Sequence, residues 1–169
     1  TGQVAGVCRI SRLCVRFGRT EYPCLSGLLL EIPDVRILII DTIYPQFANT
    51  LKLGDGSYAV EHKRIMARRF GTFDAYSRGL RNLGHQCFDV IANHEDLQRL
   101  WMKAHPMKGG YSSVIDAQIK YYRPDVVFSQ DLSVELPYEL PFLAGQTSCR
   151  LGDDAKLRRY DLLFSSIPA

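Results

Sequence analysis

The sequence lacks the features that mark several large classes of protein. Its 169 residues carry a net charge of only +3, which is too small to indicate nucleic-acid binding from charge alone. Its longest apolar runs, Leu28–Leu30 and Ile37–Ile40, are the size of strands, whereas a membrane-spanning helix needs about 18 such residues. We therefore expect neither a nucleic-acid partner nor a membrane span.

Three common nucleotide-site and hydrolase motifs are also missing. No GxGxxG follows the first predicted strand, where residues 41–47 read DTIYPQF, so the backbone cannot approach a pyrophosphate as it does in dinucleotide-binding folds. The GxxxxGK[ST] phosphate loop and the GxSxG nucleophile turn do not occur. We expect no bound cofactor, and the missing glycines also argue against a small methyltransferase.

Cysteine pairs of the kind that bind zinc are absent as well. No two cysteines stand in CxxC spacing, so we predict no metal site. An odd number of scattered thiols is typical of a reduced, cytoplasmic protein. The five are Cys8, Cys14, Cys24, Cys87 and Cys149.

What the sequence does contain is an alternation of strand and helix patterns. Short β-branched runs predict strands, and apolar residues spaced three and four apart predict helices between them. This alternation predicts one Rossmann-like α/β domain over 35–169, with a parallel sheet and helices on both faces. Residues 1–34 show neither period and are interpreted as an extension outside the fold. The predicted strands are 36–41, 87–92, 125–129, 142–146 and 161–165.

Ligands of open parallel sheets bind beyond the carboxyl ends of the strands. This rule nominates four groups of residues: Asp41–Pro45, Asn93, Ser129–Asp131 and Ser165–Ser166. Asp131 has two interpretations, because it could orient a ligand or cap a helix over 132–139.

The segment from Gly71 to Asp74 is a further candidate. A glycine and a threonine at a predicted helix start leave N–H groups free for an anion or a sugar hydroxyl, and Asp74 could accept a proton as a base. In the alternative interpretation, Gly71 and Thr72 cap the helix and Asp74 complements its dipole.

Arg64 and Arg68 lie four residues apart, on one face of a predicted helix. Together they could clamp a phosphate. The alternative interpretation is a basic face that is simply exposed to solvent.

Six segments occur in order over about 130 residues of the chain: Arg36–Pro45, Phe70–Ser77, Leu83–His85, Asn93–Trp101, Tyr122–Val127 and Tyr160–Ser166. In that order they resemble the N-terminal domain of GT-B glycosyltransferases of the CgeB-like and family-4-like kind. Residues 1–34 lie outside the resemblance, and the donor-site motifs of the second GT-B domain have no counterpart here.

The resemblance implies the acceptor-binding half of an enzyme that transfers a sugar from a nucleotide-sugar donor to a glycan or small-molecule hydroxyl. It implies that the donor is held by a further domain and that this chain alone is inactive. The catalytic residues are then Asp74, the preferred base, and Asp131. The residues expected to contact substrate are Tyr44, Gly71, Thr72, Ser129, Arg64 and Arg68.

A flavodoxin-like module without catalysis is the alternative. A receiver domain needs an acidic cluster after the first strand and an aspartate ending the third, whereas here Asp41 stands alone and Ser129 occupies the other position. The DxHxxG loop of cobalamin-binding domains does not occur.

Overall fold

The fold is known from a computed structural model, which describes residues 34–148 and 155–165. Of the predicted N-terminal extension, all but Asp34 lies outside these described residues. The regular elements are β1 (Arg36–Asp41), α1 (Pro45–Ala48), α2 (Tyr58–Met66), α3 (Ala75–Asn82), β2 (Gln86–Ile91), α4 (Glu95–Ala104), α5 (Val114–Tyr122), β3 (Val126–Ser129), β4 (Leu143–Thr147) and β5 (Leu162–Ser165). Two 3₁₀ turns, Tyr111–Ser113 and Ala155–Arg159, complete them.

The five strands form one parallel sheet in the order β2-β1-β3-β4-β5. This confirms the predicted α/β class and the predicted number of strands, and each strand begins or ends within one residue of its predicted position. β1 lies between β2 and β3. This central position explains the continuous apolar run of β1, because a strand with neighbours on both sides and helices on both faces is buried on every side.

Side chains that alternate along the strands enter different cores. On one face, Ile37, Ile39 and Phe128 pack with Tyr76 and Leu80 of α3. On the opposite face, the intervening strand residues pack against α5. Those residues are Leu38, Ile40, Val90, Val127 and Leu143, with Ile119 as the buried contact from α5.

A third core joins α2 and α4 to the end of β2. Trp101 is its largest fully buried side chain, and Ile65, Ile91 and Leu97 pack in the same cluster. This core holds the connection between β1 and α2 against the sheet, because Ile43 and Leu51 of that connection are buried in it.

Gly84 lies just beyond the apolar face of the third helix, which predicts a left-handed residue at the helix end, and α3 (Ala75–Asn82) has this end. Gly84 has a φ of +96°; its N–H donates to the carbonyl of Arg81, and the N–H of His85 donates to that of Leu80. This pair of bonds is the Schellman arrangement, which a glycine completes without steric cost. The start of α3 differs from the prediction, because residues 71–74 form a turn ahead of the helix.

Asn93 directly precedes a helix start that carries Glu95 and Asp96 in its first turn, which predicts Asn93 as the N-cap of α4; this prediction is wrong. The N-cap is His94, whose Nδ1 accepts the N–H of Leu97 at 3.3 Å. Asn93 is one residue too early to cap. Its side chain instead accepts the N–H of Ile43 at 2.9 Å and donates to the Ile43 carbonyl at 2.7 Å, which ties β2 to the loop that follows β1.

Candidate functional site

A cleft lies at the carboxyl ends of the strands, where the strand order reverses. The chain leaves β1 toward β2 on one side and returns to β3 on the other, and such switch points are where open α/β sheets bind ligands. The cleft has a volume of about 820 Å³, within the range usual for small-molecule sites. Its walls are residues 41–45 and 70–73, Asn93, residues 130–133 and 146–148, and Leu157.

Asp41 ends β1 and presents a carboxylate to this cleft. Its Oδ1 accepts the N–H of Thr42 at 2.8 Å, whereas its Oδ2 lies 3.4 Å from the hydroxyl of Thr72. The second contact is long for an O–H···O hydrogen bond. Burial raises the pKa of Asp41; the contacts with Thr42 and Thr72 oppose this rise, and the charges of Asp131 and Asp89 add to it.

Asp131 lies across the cleft, two residues after β3. Its Oδ1 accepts both the N–H of Ser133 at 2.8 Å and the Ser133 hydroxyl at 2.6 Å, and its Oδ2 accepts the hydroxyl of Thr42 at 2.7 Å. Burial alone would raise the pKa of Asp131, but these bonds outweigh it and lower the pKa. Asp131 therefore favours its charged form and orients Thr42. Residues 132–139 form turns and loop, so Asp131 does not cap a helix there.

The turn at Gly71 and Thr72 forms one wall of the cleft. Gly71 has a φ of +61°, a left-handed conformation that glycine adopts readily. The Thr72 hydroxyl donates to Oε1 of Gln130 at 2.7 Å. Since a hydroxyl has one proton to donate, this bond leaves Oδ2 of Asp41 without a strong donor.

Two aromatic rings form an apolar rim beside these polar groups. Tyr44 is 71% exposed and Phe70 is 36% exposed, and their ring centroids are 6.2 Å apart in an edge-on arrangement. Phe70 stacks on Phe47 at 3.8 Å. Asn93 holds Ile43, the neighbour of Tyr44, through the two bonds described above. The rim is thus supported from below while its upper surface is open.

Ser129 was predicted to contact substrate. Its side chain is fully buried, and its hydroxyl donates to the backbone carbonyl of Asp131 at 2.8 Å. From this position Ser129 shapes the turn that carries Asp131, and it presents no surface to the cleft.

Asp74, Arg64 and Arg68 are not among the residues that line the cleft. Asp74 occupies the N-cap position of α3, makes no capping bond, and pairs with Arg78 at 2.8 Å. Arg64 donates to Oε2 of Glu61 at 2.9 and 2.7 Å. Arg68 is exposed beyond the end of α2. The structure therefore brings Tyr44, Gly71, Thr72 and Asp131 together and leaves these three outside.

The sequence does not single out several of the residues that line the cleft. The strand-end rule indicates Asp41, Thr42 and Gln130 only as members of short segments, and the sequence contains no signal for the bond between Thr72 and Gln130. Phe70 directly precedes the predicted Gly71 turn, which is the one local signal for its place in the cleft.

No group of three or more His, Cys, Asp or Glu side chains that could hold a metal ion occurs within 34–148 and 155–165. None of the helices in this described part has the length and hydrophobicity needed to cross a bilayer.

Comparisons with known proteins identify no relative of this chain, so its function is inferred from the cleft. No family model matches this sequence, and no match is found among the curated proteins or the solved structures.

Proposed function

We propose that this chain is the acceptor-binding domain of a glycosyltransferase and that its cleft binds a polyhydroxylated acceptor. The donor nucleotide-sugar belongs, in this proposal, to a further domain, so the chain alone does not transfer sugar. The observation that carries the proposal is one open cleft lined both by the carboxylate of Asp41 and by the exposed rings of Tyr44 and Phe70.

This combination suits a sugar or another polyol. Hydroxyl groups donate well to carboxylate oxygens, and Oδ2 of Asp41 lacks a strong donor of its own. The C–H face of a sugar ring is apolar and packs on aromatic rings, and Tyr44 and Phe70 offer such a surface. Small-molecule sites are usually lined by apolar side chains together with a few polar groups that fix the orientation of the ligand.

The geometry favours Asp41 as the group that removes the proton of the acceptor hydroxyl. A base works best when its pKa is raised toward the working pH, and burial moves the pKa of Asp41 in this direction. Asp131 has the opposite shift and three hydrogen-bond donors, so we assign it to positioning Thr42. The role of Asp74 as base stays a prediction, tested separately below.

Saturation-transfer NMR of the isolated chain with glucose, N-acetylglucosamine and lactose tests acceptor binding. We expect saturable signals from at least one of these sugars, weakened at least fivefold by Tyr44→Ala. Tyr138→Ala is the matched control, because Tyr138 is 91% exposed and does not line the cleft. Equal loss in both variants, or no signal from any sugar, would contradict the proposal.

The strand order supports a second candidate, a flavodoxin-like binding module without catalysis. The order 2-1-3-4-5 is that of flavodoxin and of receiver domains, which bind at the same switch point between β1 and β3. Titration with flavin mononucleotide distinguishes the two candidates. The binding module would be favoured if micromolar protein quenches flavin fluorescence, if Tyr44→Ala abolishes this quenching, and if the sugars give no binding signal.

A further inference from the structure

A second depression, separate from the cleft, lies between α2, α3 and β2. It has a volume of about 550 Å³, and none of its lining residues lines the cleft. The turn at residues 70–73 separates the two, since Arg69 and Asp74 at its ends line the depression while the turn itself lines the cleft. The lining residues are His62, Lys63, Met66, Ala67, Arg69, Asp74, Arg81 and Asp89.

Asp89 at the floor of this depression is a buried carboxylate with an unused oxygen. Its side chain is 8% exposed, and Oδ2 accepts a bond from Arg81 at 3.0 Å. Oδ1 is buried and has no hydrogen-bond partner among the described residues. Burial raises the pKa of Asp89, although Ser77 and Arg81 partly offset the rise. A buried acceptor of this kind costs free energy until a donor reaches it.

His62 adds a second unused polar atom to the same depression. Its Nε2 is buried and has no partner within the described part of the chain, and its ring stacks on Tyr58 with centroids 5.4 Å apart. Burial lowers the pKa of His62, which favours the neutral ring, with one nitrogen that donates and one that accepts.

More cations than carboxylates line the depression. Asp74 pairs with Arg78 and Asp89 pairs with Arg81, whereas Lys63 and Arg69 make no ion pair within the described residues. Arg69 has a φ of +51°, a left-handed conformation that is uncommon for residues other than glycine. Such backbone strain persists only where the surroundings enforce it, and it clusters at binding sites.

We propose that this depression is a second ligand site, which binds a phosphorylated sugar or polyol. The phosphate carries a charge between about −1.5 and −2 at neutral pH, which matches the two rim cations Lys63 and Arg69. The hydroxyl groups of the same ligand meet the polar floor of the depression, which Asp89 and His62 line. This proposal does not depend on the cleft, because it uses no residue of the cleft.

Isothermal titration calorimetry of the whole chain with glucose 6-phosphate tests this site, with inorganic phosphate and glucose as comparison probes. We expect saturable binding of glucose 6-phosphate that is at least tenfold tighter than binding of either comparison probe. This ratio is expected because only the ester offers both a phosphate and hydroxyl groups. Equal binding of inorganic phosphate, or no binding of the ester at millimolar concentration, would overturn the proposal.

Arg69→Gly is the decisive variant, since glycine keeps the backbone conformation and removes only the side chain. We expect at least tenfold weaker binding of glucose 6-phosphate with an unchanged or higher melting temperature. Arg68→Ala is the matched control, because Arg68 is a neighbouring exposed arginine that does not line the depression. A similar loss in both variants would show non-specific attraction and would refute the site.

Asp89→Asn tests the hydroxyl contact. We expect it to reduce the preference for glucose 6-phosphate over inorganic phosphate, because an amide oxygen accepts more weakly than a carboxylate. β2 is an edge strand. A charge that points inward from an edge strand can have a purely structural role, which is to prevent edge-to-edge pairing. An Asn variant that aggregates, together with a wild-type protein that binds no ester, would assign Asp89 that structural role instead.

Discussion

At the scale of single residues, two aspartates of the cleft differ in what the fold does to them. Asp41 is partly buried with one poorly satisfied oxygen, whereas Asp131 accepts three hydrogen bonds. The pKa is raised in the first and lowered in the second. Opposite shifts within one cleft are the pattern expected where one group exchanges a proton and the other stays charged.

Asp41→Asn should stabilise the chain at neutral pH by up to about 1 kcal/mol, because it removes a partly buried charge that is repelled by two other carboxylates. The folded pKa is above the ordinary value of 3.8, so the contribution of Asp41 to stability is complete below that value and is lost as the pH rises through the folded pKa. The gain from Asp41→Asn should therefore be larger at pH 7 than at pH 4 in thermal melts.

Asp131→Asn should behave in the opposite way. The folded pKa of Asp131 is lowered, so its contribution is present above the ordinary value of 3.8 and is lost as the pH falls through the folded pKa. We expect the Asn variant to melt below wild type at pH 7 and to approach it in acid. Parallel pH profiles for the two variants would contradict these assignments.

Asp74→Asn separates the two candidate bases. If Asp41 is the base, Asp74→Asn leaves the transfer rate of the complete enzyme near wild type, while Asp41→Asn lowers kcat by about 10²–10⁴-fold. The reverse result would restore Asp74 as the base. Single-turnover rates in an enzyme that contains both domains are the measurement, with thermal melts as the control for folding.

At the scale of elements, glycines have different roles in a strand and in a helix. A Cβ on Gly145 of β4 would lie 2.7 Å from the ring of Tyr160 and 2.9 Å from Leu132, whereas a Cβ on Gly79 of α3 would meet nothing within 4 Å. The close approach at Gly145 lets residues 132 and 160 pack over the sheet beside the cleft.

Gly145→Ala should destabilise the chain by about 1–3 kcal/mol, because the added methyl overpacks a buried site. Gly79→Ala is the matched control and should stabilise by about 0.5–1 kcal/mol, since alanine is the better residue inside a helix. Urea denaturation of both variants gives the comparison. A Gly145→Ala protein as stable as wild type would mean that Tyr160 packs elsewhere.

At the scale of the whole molecule, the cleft is assembled from the ends of four parallel strands. Asp41 comes from β1, Asn93 follows β2, Asp131 follows β3 and Gln146 lies in β4. Gln146 also accepts a hydrogen bond from the Tyr76 hydroxyl of α3, so the helix on one face is connected to the cleft floor.

The proposed division of labour predicts the behaviour of the isolated chain. It should bind an acceptor sugar but release no nucleoside diphosphate from a nucleotide-sugar, because the donor is assigned to another domain. Chromatographic assay of nucleotide release measures this directly. Turnover by the isolated chain that Asp41→Asn abolishes would contradict the assignment of the donor.

The class of fold and the five strands follow from the sequence alone, because burial of a parallel strand demands a continuous apolar run and the helix faces repeat every three to four residues. It also located the end of α3 at Gly84, where local backbone geometry decides. The cap of α4 was missed, since His94 and Asn93 compete for the same short turn and only the bond of Asn93 to Ile43, 50 residues away, settles the competition.

The arrangement of the strands in the sheet, and no local pattern, brings two aspartates into the same cleft. Asp41 and Asp131 are 90 residues apart in the chain, and they meet because β1 and β3 are neighbours in the sheet. Asp74 is much nearer to Asp41 in sequence, yet it lines the second depression, beyond the turn at residues 70–73. Proton affinity follows from burial and donors supplied by distant segments, and no local pattern of residues contains that information.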